Sequence, residues 1–240
     1  MPISSPGVSS IGFVTACAAA GSVVGFFLPL WIKRLPEPQL VGDETKIPYV
    51  ELATWAPLRA VCAGSLGLCW GLVAWRLGFD VALPVVFYLA LAGVVLGYVD
   101  LRVRLLPNAV VLPSYAVVAG LLILAATASG DWRALVGAAG GGAAVWAFLA
   151  VLGLIAPSGM GFGDVKLGGV LGLGLGWFGP GHVLIGVMVA FAAGGLASLV
   201  LITLRRATRK SAVPFGPFLV LGFVVAVTYG DSLIEWYAMA

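Results

Sequence analysis

Long apolar runs separated by short polar punctuation fill most of this chain. A helix needs about 20 predominantly apolar residues to cross the hydrocarbon core of a bilayer, and most of the runs are that long. They fall at residues 11–32, 57–77, 81–99, 109–128, 134–156, 164–178, 182–204 and 214–229, the sixth being short and rich in glycine. The pattern predicts an all-α polytopic membrane protein with about eight transmembrane helices.

Composition supports the same class. Hydrophobic residues make up 61% of the chain, charged residues only 10%, and mean hydropathy is +1.10. Soluble globular domains carry about 25% charged residues. The longest polar stretch, residues 33–54, is too short to bury a core of its own. It holds Pro36, Pro38 and Pro48 with Glu37, Asp43, Glu44 and Glu51, which suits a loop lying at the membrane surface. Residues 1–240 are expected to form one integral-membrane domain, with 33–54 as a short cytoplasmic loop.

The basic residues set the expected orientation. Of the 13 Lys and Arg, Lys33, Arg34, Lys46, Arg59, Arg102, Arg104, Lys166, Arg205, Arg206, Arg209 and Lys210 lie in or beside the loops after the first, third, fifth and seventh runs. Only Arg76 and Arg133 fall in the other set. Positively charged loops stay on the cytoplasmic side, so both termini are expected on the non-cytoplasmic side of the cytoplasmic (plasma) membrane. No basic residue precedes the first run, which argues against a cleaved signal peptide. The net charge of +3 then concerns topology and lipid headgroups and gives no reason to expect nucleic acid. The stretch from Arg205 to Lys210 is read as a cytoplasmic stop signal.

Against this apolar background two aspartates need an explanation. Asp100 lies in Gly97-Tyr98-Val99-Asp100-Leu101-Arg102, and Asp164 in Gly159-Met160-Gly161-Phe162-Gly163-Asp164-Val165-Lys166. A carboxylate near hydrocarbon is expensive and is rarely kept without a use. On the expected topology both stand at cytoplasmic helix ends. Gly168, Gly172 and Gly176 follow Asp164 at four-residue spacing, and Gly93 and Gly97 lead towards Asp100 at the same spacing. Such stripes permit close backbone approach, which would let the two aspartate-bearing faces pack together. The competing reading is that glycine is simply common in membrane helices.

Two carboxylates about 3 Å apart cannot both ionise easily and share a proton. The charged member then takes a proton from water, the water attacks a peptide carbonyl, and the protonated member donates to the carbonyl oxygen. Neither a covalent intermediate nor a metal is required. No other constellation competes. Cys17, Cys62 and Cys69 fall inside predicted helices and read as small packing residues. His182, after Gly179-Pro180-Gly181 at the far end of the seventh run, reads as an interfacial polar residue.

These residues resemble the type IV prepilin (leader) peptidases, a family of GxGD-type intramembrane aspartic proteases. Gly161-Phe162-Gly163-Asp164-Val165-Lys166-Leu167 is similar to the family's GxGD signature, and Asp100 followed by Leu105-Leu106-Pro107-Asn108 is similar to its first catalytic aspartate and the Leu-Pro-Asp or Leu-Pro-Asn beyond it. Ile47-Pro48-Tyr49-Val50-Glu51-Leu52-Ala53-Thr54 resembles an upstream family stretch, and Val213-Pro214-Phe215-Gly216-Pro217-Phe218 the Pro-Phe-Gly-Pro-Phe that opens its last helix. The resemblance spans about residues 25–222.

It implies that Asp100 and Asp164 are catalytic and remove the short basic leader of a prepilin or pseudopilin at the cytoplasmic face. It also implies supporting roles for Gly161, Gly163, Lys166, Pro107, Asn108 and Glu51. Gly161 and Gly163 would let the backbone approach the substrate or bend before Asp164, and Lys166 would set the local field or hold the loop. The acids Glu37, Asp43, Glu44 and Glu51 read first as a solvated acidic loop, since exposed charges contribute little, with attraction of a basic leader as the alternative.

The departures are equally specific. Within Gly25 to Pro36, Phe26 and Pro29 stand where the family has Ser and Asn. Bifunctional members carry two CxxC pairs in the first cytoplasmic loop, a plausible zinc site, and also methylate the new N-terminus with S-adenosylmethionine. Residues 33–54 contain no cysteine, so neither zinc nor S-adenosylmethionine is expected as a cofactor. The alternative from another class is a proton- or ion-coupled transporter using the paired aspartates.

Overall fold

The computed structural model describes residues 8–37, 47–156, 160–205 and 213–239, the side chains of residues 8–10 excepted. Pro38, Asp43, Glu44, Lys46, Gly159, Arg206, Arg209 and Lys210, all used in the reading above, lie outside the described residues. Nine helices and no strands occur among the described residues. They are α1 Val8–Ile32, α2 Tyr49–Leu52, α3 Leu58–Leu77, α4 Leu83–Val103, α5 Asn108–Ser129, α6 Trp132–Ile155, α7 Phe162–Phe178, α8 Pro180–Thr203 and α9 Gly216–Met239.

Local chemistry marks several boundaries. Asp131 caps α6 by accepting the Ala134 N–H at 3.0 Å. Pro180 opens α8, where its missing N–H costs nothing. Gly130 ends α5 in the left-handed region at φ 74°, a conformation that favours glycine.

Among the described residues seven helices are long and apolar enough to cross a membrane, against the expected eight or so. The difference is α7, the sixth apolar run, which has only 17 residues. α9 continues to Met239, beyond residue 229, because Asp231 and Glu235 interrupt the apolar run without breaking the helix. The stretch read as a loop at 33–54 contains the one-turn helix α2. Glu37 Oε1 accepts the Tyr49 N–H at 2.7 Å at its start, and Tyr49 and Leu52 are buried. Burial and the Glu37 carboxylate together push the Tyr49 phenol above its ordinary pKa.

The chain divides into two units, Met1–Val95 and Leu96–Ala240. In the first, α1 and α3 meet backbone to backbone: a Cβ on Gly21 would stand 2.9 Å from the Leu66 carbonyl oxygen. Trp70 of α3 stacks on Phe87 of α4 at 4.5 Å and donates its indole N–H to the Phe87 carbonyl at 3.1 Å.

In the second unit α7 is the most enclosed element, buried along nearly its whole length and contacted by α5, α6, α8 and α9. Its stripe Gly168, Gly172 and Gly176 faces α6, which corrects the expectation that it would face the Asp100 helix. A Cβ on Gly172 would lie 2.7 Å from the Gly141 carbonyl oxygen, and one on Gly141 would lie 2.7 Å from that of Gly172. Gly97, for its part, faces Pro217 at the start of α9, where an added Cβ would lie 3.9 Å from the Pro217 Cα. The glycine spacing therefore reports close helix crossing, as such stripes do in membranes, but with other partners.

Candidate active site

Asp100 occupies the last turn of α4, and Asp164 the first turn of α7. α4 closes on Arg104, whose N–H reaches the Asp100 carbonyl at 2.9 Å and whose φ of 54° is the left-handed conformation common at helix C-termini. The Arg104 guanidinium lies within electrostatic reach of the Asp100 carboxylate. The chain then turns through Leu105 and Leu106 to Pro107, whose extended backbone caps α5 and whose carbonyl accepts the Val110 and Val111 N–H groups at 3.0 and 3.1 Å.

On the other side Gly161 caps α7, and Asp164 is the third helical residue. The Asp164 carboxyl reaches back to the Gly161 N–H, half of a capping box, at the end of the helix whose dipole favours negative charge.

The two carboxyls are close enough to interact electrostatically, and both are buried: 5% of Asp100 and 9% of Asp164 is exposed. Their partners differ. Asp100 Oδ2 accepts the Gly216 main-chain N–H at 3.0 Å. Asp164 Oδ1 is buried with no hydrogen-bond partner among the protein groups, an arrangement rare enough in proteins to call for an explanation. A buried carboxyl with an oxygen left open, beside a second carboxyl held by a backbone donor, is suited to receiving a polar reactant.

Leu106 is the spacer between the two halves. A Cβ on Gly163 would stand 3.0 Å from Leu106 Cβ, and one on Gly216 would stand 3.5 Å from Leu106 Cδ2. This revises the reason for the glycines. Gly161 has φ −74°, open to any residue, and Gly163 is helical, so neither supplies a left-handed bend. Gly163 instead leaves room for Leu106, and Gly161 for the carboxyl of Asp164, whose Oδ2 would lie 3.4 Å from a Cβ there.

Of the supporting residues expected from sequence, Lys166 and Asn108 meet: the Lys166 ammonium donates to Asn108 Oδ1 at 3.0 Å and lies 5.0 Å from the centre of the Phe162 ring. Glu51 lies on α2 of the first unit with its side chain exposed. The residues that sequence reasoning missed are Leu106, Gly216 and Tyr115. Tyr115 of α5 donates its hydroxyl to the Lys166 carbonyl at 2.8 Å, and Gly169 gives that hydroxyl its space. A tyrosine one α5 face along from Asn108 was the available signal.

Among the described residues no three of His, Cys, Asp and Glu gather to hold a metal. For a thiolate-held zinc the donors are dispersed. Cys17 lies in α1 and Cys62 and Cys69 in α3, while residues 33–54 have neither cysteine nor histidine. A zinc of that type does not fit this chain.

The structure is that of a helical protein with seven candidate membrane spans among the described residues and two buried, interacting carboxyls. Residues 85–202 match the model of the type IV leader peptidase family. The chain is 35% identical over 212 residues to a prepilin leader peptidase/N-methyltransferase of Aeromonas hydrophila, covering 87% of this chain and 67% of that protein. A protein of the same description from Stutzerimonas stutzeri is 26% identical over 281 residues, 95% of this chain and 94% of its own length. Another from Pseudomonas aeruginosa is 30% identical over 196 residues, 80% of this chain and 61% of its own length. No solved structure matches the chain. The chain belongs to the type IV leader peptidase family and is a membrane protease. Nothing in these matches supports the transporter alternative.

Proposed function

We propose that Asp100 and Asp164 are the catalytic dyad of an aspartic endopeptidase that removes the short basic leader of a prepilin or prepilin-like protein at the cytoplasmic face. The observation that carries this reading is the pair of buried, mutually interacting carboxyls in the last turn of α4 and the first turn of α7, one of them with an unpartnered oxygen. Two such groups divide one reaction. The ionised carboxylate removes a proton from water as it attacks the scissile carbonyl, and the protonated carboxyl donates to the carbonyl oxygen. Proton transfer of this kind contributes about 10²–10⁴-fold each way.

The distribution of Lys and Arg supports a cytoplasmic active site, with both termini on the opposite side. The relatives' printed description supports prepilin as substrate class. Their second activity, N-methylation, is proposed to be absent here, because the cysteines that mark bifunctional relatives have no counterpart in residues 33–54. Lys166, Asn108 and Pro107 hold the α5 and α7 ends that frame the dyad, and Glu51 offers an exposed carboxylate to a basic leader.

The test is co-expression of wild type and Asp164→Ala with a panel of prepilins, read by the size shift and the mass of the new N-terminus. Processing by wild type alone supports the dyad, and a new N-terminus without an added methyl group supports the loss of the second activity. Unprocessed prepilin in the presence of correctly inserted wild type would refute the peptidase reading.

A further inference from the structure

The stretch Pro214-Phe215-Gly216-Pro217 has no part in the chemistry above, yet it touches Asp100. α9 begins at Gly216, and the first N–H groups of any helix lack intrahelical partners. Here their disposal is nearly complete. Pro217 has no N–H, and the Phe218 and Leu219 N–H groups turn back to the Phe215 carbonyl at 3.0 and 3.1 Å. The Gly216 N–H is left, and it points at Asp100 Oδ2, 3.0 Å away in a buried setting.

Position 216 also has no room for a side chain. A Cβ there would stand 2.9 Å from Asp100 Oδ2 and 3.4 Å from its Cγ, so the obstacle is the carboxylate itself. The turn is fixed from behind. Phe215 packs against Phe191 of α8 with ring centres 4.9 Å apart, and Gly194 is small enough to admit the Phe215 ring. A donor on a clamped main chain cannot rotate away as a side chain can.

We propose that Gly216 is a positioning residue for Asp100: its main-chain N–H sets the direction of Oδ2, and its missing Cβ leaves the carboxylate its place. A misplacement of about 1 Å at a reacting group costs on the order of a hundredfold in rate. The kinetic part of the proposal rests on Asp100 being catalytic, whereas the hydrogen bond itself does not.

The test has two arms in the full-length protein in lipid nanodiscs. In the first, Gly216→Ala is compared with wild type and with Gly195→Ala, a position with nothing within 4 Å of an added Cβ. The expected result is a kcat for prepilin cleavage lowered on the order of a hundredfold with KM unchanged, while Gly195→Ala matches wild type. Wild-type kcat in Gly216→Ala would overturn the proposal.

The second arm needs no change at position 216. Carbonyl-13C phenylalanine with 15N glycine selects the Phe–Gly steps at 162–163, 178–179 and 215–216. Asp100→Ala should move the Gly216 amide proton resonance and leave that of Gly179 in place. An unmoved Gly216 resonance overturns the proposal even if Gly216→Ala fails to fold. If wild type cleaves no prepilin, the peptidase reading fails while this arm still decides the hydrogen bond.

Discussion

α7 and α9 both run from the dyad to an opposite end, and the two ends treat buried polar groups differently. At the first, Asp100 and Asp164 are each engaged by a main-chain N–H, from Gly216 and Gly161. At the second, His182 is as buried as Asp100, lies against Gly230 and the Phe178 ring, and pairs at 3.5 Å with Asp231, which is 87% exposed. A main-chain donor carries no net charge and has no rotamers, so it orients a carboxylate without neutralising it. An exposed carboxylate swivels in water and pays side-chain entropy to hold any one geometry. On the proposed mechanism one end is arranged for reactivity and the other for packing, and this contrast can be broken experimentally.

The largest effect is expected at the first end. Asp100→Asn or Asp164→Ala should lower prepilin cleavage by at least about 10²–10⁴-fold with the thermal transition retained, measured on purified protein; retained cleavage in either variant would remove that residue from the mechanism. Next comes the crossing that fixes α7 against α6. Gly172→Val places atoms where the Gly141 carbonyl already lies, and overpacking of this kind costs about 1–3 kcal/mol, visible as a lower unfolding midpoint. Tyr115→Phe removes the hydroxyl that holds the Lys166 carbonyl. A loss of about 1 kcal/mol is expected from one such hydrogen bond, with kcat reduced more than KM if the tie positions the Asp164 turn. The smallest effect belongs to the far end. Asp231→Asn should change stability by less than about 1 kcal/mol and leave cleavage at the wild-type level; a loss of activity there would erase the contrast.

Much of the fold could be read from apolar run length, because a bilayer imposes that length. The ends of α3, α5 and α8 fall within two residues of the expected runs. What could not be read rests on tertiary partners. One-turn α2 is held by Glu37, 12 residues before Tyr49 in the sequence, and α9 outlasts its apolar run because its last turns need no burial. The spacing of Gly168, Gly172 and Gly176 announces a close crossing but not which helix is crossed.

The site shows the same division. Asp100, Asp164, Asn108 and Lys166 declare themselves by side-chain chemistry in an apolar context. Gly216 contributes an N–H that every residue but proline has. Only the fold shows that this one is free and aimed at a carboxylate.

The shortness of α7 bears on its relation to the membrane. At 17 residues it is about 25 Å long, a few ångström less than the roughly 30 Å of bilayer hydrocarbon. A short helix facing lipid would thin the bilayer around it, but α7 is enclosed by α5, α6, α8 and α9 and meets protein along nearly its whole length. Its neighbours span the hydrocarbon in its place, so the length of the helix that carries Asp164 is released from the thickness of the membrane. Acyl-chain length should therefore have little bearing on where that carboxyl sits.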